Sequence, residues 1–287
     1  MTDCRKIRMM IAKGRMFDQV SRLLEDTGIG LTTNHRCYIP HVSDPEIEAK
    51  IMKPQNIGQL IELGKHDVGF TGYDWLEETG ARVTELMDLG FDPVRIVAAV
   101  PEESSESDLK KRRIIVASEY KRIAARWLEA QGYDFLLLRT FGATEAFPPG
   151  DADMIIDNSS SGRTLQEHGL RVVAEILPSS TRFIANRESL RDPGKREKIE
   201  ELVMLFRASL NARARVMLEM NAPEERLEGI VAALPCMRAP TVAPLYRDQG
   251  FSIRAAVPRE RIVSLVPRLK KLGATDILEH DIRKVIS

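Results

Sequence analysis

Asp157, Asn158, Ser159, Ser160, Ser161, Gly162, Arg163 and Thr164 stand between the apolar Met154-Ile155-Ile156 and Leu165. A short turn of hydroxyls, a glycine and successive backbone N–H groups, set between a strand and a helix, has the ingredients of an anion site. The helix start leaves N–H groups unbonded and adds partial positive charge. Hydrogen bonds to a charged group contribute about 1.5 to 3 kcal/mol each. A phosphate held by the N–H groups of Ser160 to Thr164, with the hydroxyls of Ser159, Ser160, Ser161 and Thr164, therefore needs no lysine. Asp157 does not suit a bare phosphate. Its expected role is to accept hydrogen bonds from sugar hydroxyls next to that phosphate. Arg163 either reaches the anion or stays solvated, and a capped surface turn is the competing reading of the whole segment. The phosphate-loop pattern G-x-x-x-x-G-K-[ST] does not occur.

Three other places could join such a site. Lys13-Gly14-Arg15 follows an apolar run and suits either a polyphosphate or solvent. Gly69-Phe70-Thr71-Gly72-Tyr73-Asp74 has glycines that let a ligand approach the backbone or simply shape a turn. Glu145 precedes the strand that leads to Asp157 and either faces the same cleft or lies on a surface loop. His35, His41, His66, His168 and His280 show no ligand spacing, and no Ser-His-Asp or Cys-His arrangement is visible. Nucleophilic catalysis by the protein is therefore not expected. Cys4, Cys37 and Cys236 are far apart and odd in number, which argues for a reducing compartment and against a structural zinc site. Cys37 and Cys236 read as core thiols.

The elements that must position these residues follow an α/β pattern. Ile7 to Ala12 reads as a strand, and Met16, Phe17, Val20, Leu23 and Leu24 recur at helical spacing until Thr27-Gly28. Strands are expected at 95–100, 113–117, 135–138 and 152–156, with Ser118 capping a helix whose apolar face includes Tyr120, Ile123, Ala124, Trp127 and Leu128. A crossing between lobes is expected near Pro101–Ser105, and 172–177 and 182–185 read as strands returning to the first lobe. A long helix after 191–198 carries a stripe of Ile199, Leu202, Val203, Phe206 and Leu210. From 216 onward the order is strand, helix, strand, strand, helix, strand, which is the ferredoxin-like pattern. A chain of 287 residues suggests two or three domains. With 42 basic and 42 acidic residues no global field attracts nucleic acid or an anionic membrane. The charged N-terminal stretch does not read as a signal peptide, and no apolar run approaches a membrane span, so the expected compartment is the cytoplasm.

Together these segments resemble the ATP phosphoribosyltransferase family in its long form. IAKGRMFDQVSRLLEDTGI resembles the family's opening strand and helix, and DVGFTGYDWLEE its D-[LIV]-G-[IF]-x-G-x-[DN] segment. GDADMIIDNSSSGRTLQEHGL is similar to its signature strand and S-[ST]-G-x-T-L loop, while LPCMRAPTVAPL and KKLGATDIL resemble the long form's regulatory domain. The resemblance implies two α/β lobes like a periplasmic binding protein, residues 1–97 with 181–214 and residues 98–180, plus a ferredoxin-like regulatory domain at 215–287. It implies attack of ATP nitrogen 1 on C1 of phosphoribosyl pyrophosphate, with Mg2+ assisting the pyrophosphate, as the first step of histidine biosynthesis. Carried over by position, Asp157 and Glu145 face the sugar and Ser159, Ser160, Ser161, Gly162, Arg163 and Thr164 hold its phosphate. Lys13, Gly14, Arg15, Gly72 and Asp74 fall on the ATP side. Inhibition by histidine would use Asn221, Met237, Thr241 and Ala274, with Asn221 replacing an acid seen in some members. The family also implies dimers that assemble into hexamers, with no separate regulatory subunit. A non-catalytic two-lobed binding protein and a regulator on the same fold are the rival readings.

Overall fold

The computed structural model describes residues 6–33, 38–247 and 249–286; Cys4, His35 and Cys37 lie outside them. The chain opens with β1 (Ile7–Ala12), α1 (Arg15–Thr27), the short pair β2 (Leu31–Thr32) and β3 (His41–Val42), then β4 (Ile47–Met52), α2 (Pro54–Glu62), β5 (Val68–Gly72), α3 (Tyr73–Thr79) and β6 (Thr84–Asp88). It continues through β7 (Val94–Pro101), α4 (Glu106–Leu109), β8 (Ile114–Ser118), α5 (Lys121–Ala130), β9 (Phe135–Arg139), β10 (Met154–Ser159), α6 (Arg163–Glu167) and β11 (Leu170–Ser179). After β12 (Thr181–Ala185) and α7 (Pro193–Arg213) come β13 (Arg215–Ala222), α8 (Leu227–Ala233), β14 (Thr241–Pro244), β15 (Phe251–Pro258), α9 (Ile262–Lys271) and β16 (Thr275–Asp281). Among the described residues no helix is long and apolar enough to cross a membrane.

Contacts divide the chain into two compact units, Met1–Ser21 with Gly30–Ile199 and Arg22–Ile29 with Glu200–Ser287. The first unit holds two α/β lobes, each built on a five-stranded sheet. One lobe has a sheet in the order β4-β1-β5-β12-β6, and the other has the order β11-β7-β10-β8-β9. β10 is the central strand of the second sheet. Met154 and Ile156 enter one core cluster and Ile155 another, so both faces are covered and the run is apolar without alternation.

The crossings between lobes differ from expectation. β7 pairs with β10 and β11, so it lies entirely in the second sheet, and a boundary after residue 97 would cut it in two. β11 likewise stays in the second lobe instead of returning to the first. The chain crosses at 89–93 and again at Ser180, where Leu89 N–H donates to Thr181 O (3.0 Å) and Thr181 N–H to Phe91 O (2.9 Å). Pairing of the two crossing segments, more than the polar break at Pro101–Ser105, locates the junction. Ser118 does not cap α5. It ends β8, where its hydroxyl donates to Ile156 O (2.5 Å) and accepts from Tyr120 N–H (2.9 Å).

In the second unit, β13 to β16 form an antiparallel sheet in the order β14-β15-β13-β16, the ferredoxin-like arrangement. Val216, Leu218, Met220 and Ala222 alternate inward and pack with Ile230, Leu265 and Leu269 of the two helices. Cys236 packs against this core, and burial pushes its thiol above the usual range. The unit begins before residue 215, because Val285 N–H donates to Ala208 O (3.0 Å), Lys284 Nζ to Thr27 O (3.0 Å), and Arg213 pairs with Asp26 (2.8 Å). Ile199, Leu202 and Phe206 of the expected α7 stripe are buried, whereas Val203 and Leu210 are partly exposed.

Candidate active site

The basic turn is built by backbone geometry. Lys13 N–H donates to Met52 O (2.7 Å), and Gly14 turns the chain with φ of 93°, a conformation that favours glycine. α1 then starts at Arg15. Lys13 Nζ lies 5.1 Å from the centre of the Tyr38 ring. Lys13, Arg15, Gly72 and Asp74 line one cavity of about 200 Å³ at the lobe junction. Four of the five residues expected on the ATP side thus border one cavity, while Gly14 shapes the turn beside it.

Asp74, however, is occupied. The residue is 4 % exposed, and its carboxylate accepts the Tyr120 hydroxyl on Oδ2 (2.7 Å) and the Ser179 hydroxyl on Oδ1 (2.7 Å). Its backbone N–H donates back to Ser179 Oγ (3.0 Å). A Cβ at Gly72 would fall far inside contact with Asp74 Oδ1, so glycine there makes room for the carboxylate itself. The glycine expected to admit a ligand instead admits the side chain of Asp74, two residues on in the first turn of α3.

The serine loop forms a second cavity of about 400 Å³, lined by Arg15, Glu119, Glu145, Asp157 and the run Ser159, Ser160, Ser161, Gly162 and Thr164. β10 continues to Ser159, so Asp157 projects from a strand and the turn proper is confined to 160–162. Gly162 has φ of 78° and leads into α6. Arg163 departs from expectation: its guanidinium pairs with Glu167 (2.8 Å) on the exposed side of α6 and does not line the cavity.

Burial pushes the Asp157 carboxyl up to about 6. The Thr144 hydroxyl and the Asn158 backbone N–H (2.7 Å) act the other way, because both bond the charged form. The charges of Glu119 and Glu145 raise it further. Glu145 sits on a single 3₁₀ turn, Thr144–Ala146, whose buried Thr144 is bonded to Thr140 (2.9 Å between hydroxyl oxygens). Ala143 before it has φ of 50°, a strained left-handed conformation at the edge of the same cavity. Such a site can bind a phosphate on N–H and hydroxyl donors while presenting carboxylates to hydroxyl groups or to developing positive charge. The carboxylates are hard oxygen donors of the kind Mg2+ takes. Among the described residues no group of three or more His, Cys, Asp or Glu forms a metal cage.

Sequence reasoning missed Tyr120, Asn158, Glu119, Thr144 and Ser179 as site residues. Tyr120 fitted the apolar face of α5, and a lone serine at 179 carries no local signal. Asn158 lay within the expected loop without a role.

In the second unit the four expected effector positions are dispersed along the sheet. Asn221 is in register with Thr275, next to the buried Ala274, and its amide donates to Asp276 Oδ2 (3.0 Å). Thr241 is on the edge strand β14, opposite Arg254 and through it Glu219. Met237 N–H donates to Ala256 O (3.1 Å), two residues further along β15. The structure joins Asn221 with Ala274 but sets Met237 and Thr241 apart from them. Asp276, with φ of 48°, was not foreseen.

Two family models match the chain. One, described as ATP phosphoribosyltransferase, covers residues 53–208, and the other, described as HisG, C-terminal domain, covers residues 212–284. An ATP phosphoribosyltransferase of Chlorobium phaeovibrioides (strain DSM 265 / 1930) is 39% identical, over 98% of each chain. One from Pelotomaculum thermopropionicum (strain DSM 13744 / JCM 10971 / SI) is 38% identical, over 98% of this chain and 99% of that one. Among solved structures, the ATP phosphoribosyl transferase (HisG:HisZ) complex from Thermotoga maritima shares the fold, with a TM-score of 0.63 and 24% identity. That match covers 70% of this chain and 96% of the other. The signature loop, the two-lobed fold and these full-length relatives agree: the chain belongs to the ATP phosphoribosyltransferase family.

Proposed function

We propose that the protein transfers the phosphoribosyl group of phosphoribosyl pyrophosphate to nitrogen 1 of ATP, releasing pyrophosphate, as the entry step of histidine biosynthesis. The observation that carries this reading is the meeting of the serine loop, Asp157, Glu145 and Arg15 around one cavity. The 5-phosphate binds the N–H groups and hydroxyls of Ser160 to Thr164, and Asp157 and Glu145 take the ribose hydroxyls. The adenine nitrogen attacks with its own lone pair, so no strong base is needed. Positive charge grows at the sugar as pyrophosphate leaves, and ionised Asp157 stabilises it. Lys13 and Arg15 orient the anionic co-substrate from the adjoining cavity. Mg2+ held by substrate oxygens would supply the positive charge that eases the departure of pyrophosphate.

Histidine, in this reading, inhibits through residues 215–287, and Asp276 beside Asn221 supplies the carboxylate that Asn221 lacks. The chain carries its own C-terminal module, which supports self-assembly into dimers and hexamers over a separate regulatory subunit. Full-length relatives disfavour the binding-protein alternative. Incubation with ATP, phosphoribosyl pyrophosphate and Mg2+ tests the reading: phosphoribosyl-ATP should accumulate, followed by its ultraviolet absorbance. Asp157→Ala should abolish it with the fold intact, and undiminished turnover in that variant would remove the sugar assignment.

A further inference from the structure

We infer that Tyr120 and Asn158 are positioning residues that hold the Asp157 carboxylate for the transfer, through a hydrogen-bonded chain anchored on Asp74 of the other lobe. The inference rests on the transferase reading above. Four side chains form the chain, and each bond has a defined direction. Asn158 Nδ2 has two N–H groups; one donates to Asp157 Oδ1 (3.1 Å) and the other to Tyr120 Oη (3.2 Å). Tyr120 spends its single proton on Asp74 Oδ2 (2.7 Å), which leaves its lone pairs for Asn158. Asp74 is held in turn by the Ser179 hydroxyl on Oδ1 (2.7 Å).

This pattern admits one orientation of the Asn158 amide. Turning it over would set a carbonyl oxygen against the Asp157 carboxylate and deprive Tyr120 Oη of its donor. Tyr120 cannot swing aside, because it is 1 % exposed and its ring stacks on Trp75 at 4.7 Å. Below it, Glu78 of α3 accepts the backbone N–H groups of Arg122 and Ile123 (2.9 and 3.0 Å), which pins the first turn of α5. Burial and the Asp74 charge push the phenol far above the usual range, so Tyr120 stays a donor at any working pH. Asn158 borders both cavities, and the chain therefore ties the sugar-facing carboxylate to the residue that lines the ATP side.

Without the Asn158 amide, Asp157 would keep the Thr144 hydroxyl and one backbone N–H as donors. It would face Glu119 from the segment before α5, Glu145 from the 3₁₀ turn and Arg15 from α1. The ionised form would lose a donor among acids, and the carboxylate would lose a rotational constraint.

The test uses Asn158→Ala and Tyr120→Phe, singly and together, in the full chain. Wild-type turnover is measured first, and its absence overturns the transferase reading. Titration of the Asp157 carboxyl carbon by NMR in the free protein needs no turnover and decides the chain separately. Asn158→Ala should move that titration, and the acid limb of kcat/KM for phosphoribosyl pyrophosphate, upward by about 0.5 to 1 pH unit. It should lower kcat about tenfold and leave KM for ATP within about twofold. Tyr120→Phe should shift both profiles in the same direction by less, and the double variant should match Asn158→Ala alone, as expected for residues acting in series. Additive shifts, or a Tyr120→Phe variant that melts earlier with its acid limb unmoved, would overturn the proposal. Should Tyr120→Phe not fold, the exposed Asn158→Ala still decides, since an unmoved Asp157 titration refutes the chain.

Discussion

Replacing Asp157 by Asn should stabilise the protein at neutral pH while removing its activity. The folded protein holds the Asp157 proton up to about pH 6, against an ordinary value of 3.8. Between those values the folded state binds more protons than the unfolded one, so stability falls as pH rises through that window and levels off above it. The gap of roughly 2 units, at about 1.36 kcal/mol each, sets an upper bound of about 3 kcal/mol for the ionised carboxylate. Because the side chain is only partly buried and lines an open cavity, about half of that is the reasonable expectation. Asparagine keeps an oxygen for the Asn158 N–H and carries no charge to desolvate. Thermal melts of both proteins from pH 4 to pH 8 should coincide near pH 4 and separate by roughly 2 to 5 °C above pH 6.5. A difference that does not vary with pH, or a wild type that is the more stable at pH 7.5, would refute the argument. The gain in stability with loss of turnover is the trade expected where a site holds a desolvated charge for function.

Asp67 should behave in the opposite sense. It is fully buried and accepts Arg8 Nε (3.1 Å), Lys195 Nζ (2.8 Å) and the Ser189 hydroxyl (2.7 Å), which together hold its carboxyl well below the usual range. Asp67→Asn should cost about 3 kcal/mol in urea unfolding at pH 7.5. Its contribution is present above the ordinary carboxylate value and is lost as pH falls below it, so the cost should shrink at pH 3; a cost that grows in acid would contradict this. Gly72→Ala should displace the Asp74 carboxylate from Tyr120 and Ser179, destabilising by about 1 to 3 kcal/mol and lowering turnover at least tenfold. Normal turnover would show that Asp74 need not sit where it does. Glu78→Ala removes the acceptor for two N–H groups of α5 and should cost about 1 kcal/mol in thermal or urea unfolding, with no effect expected from Glu78→Gln beyond about half of that.

Local patterns made much of the fold legible. Strand, Lys13-Gly14-Arg15 and amphipathic helix recur as β1 and α1, and the strand–helix order after 215 reappears as the antiparallel module. Two first-lobe elements left weaker signals. β4 spans six residues of alternating burial, and α2 begins at Pro54 with Lys53 at its N-cap and no side-chain cap bond. Sheet membership was not legible at all for β7. An apolar octapeptide suits either lobe, and its assignment depends on partners at 155–159 and 170–179.

The chemistry of the anion loop was written in residue types: hydroxyls, a glycine and an acid in one short stretch dictate donors beside a carboxylate wherever that stretch lies. Gly14 and Gly162 marked turns in the same local way, and both take left-handed φ, since backbone sterics act within a residue or two. The environment of Asp157 was of another kind. Its raised proton affinity comes from desolvation and from Glu119 and Glu145, and its orientation from Asn158 bonded to Tyr120 and, through it, to Asp74. Asp74 and Ser179 are 105 residues apart in the chain and meet at 2.7 Å. Hydrogen bonding and desolvation act over a few ångströms of space, so sequence distance carries no record of them, and it was folding that turned a polar stretch into a positioned carboxylate.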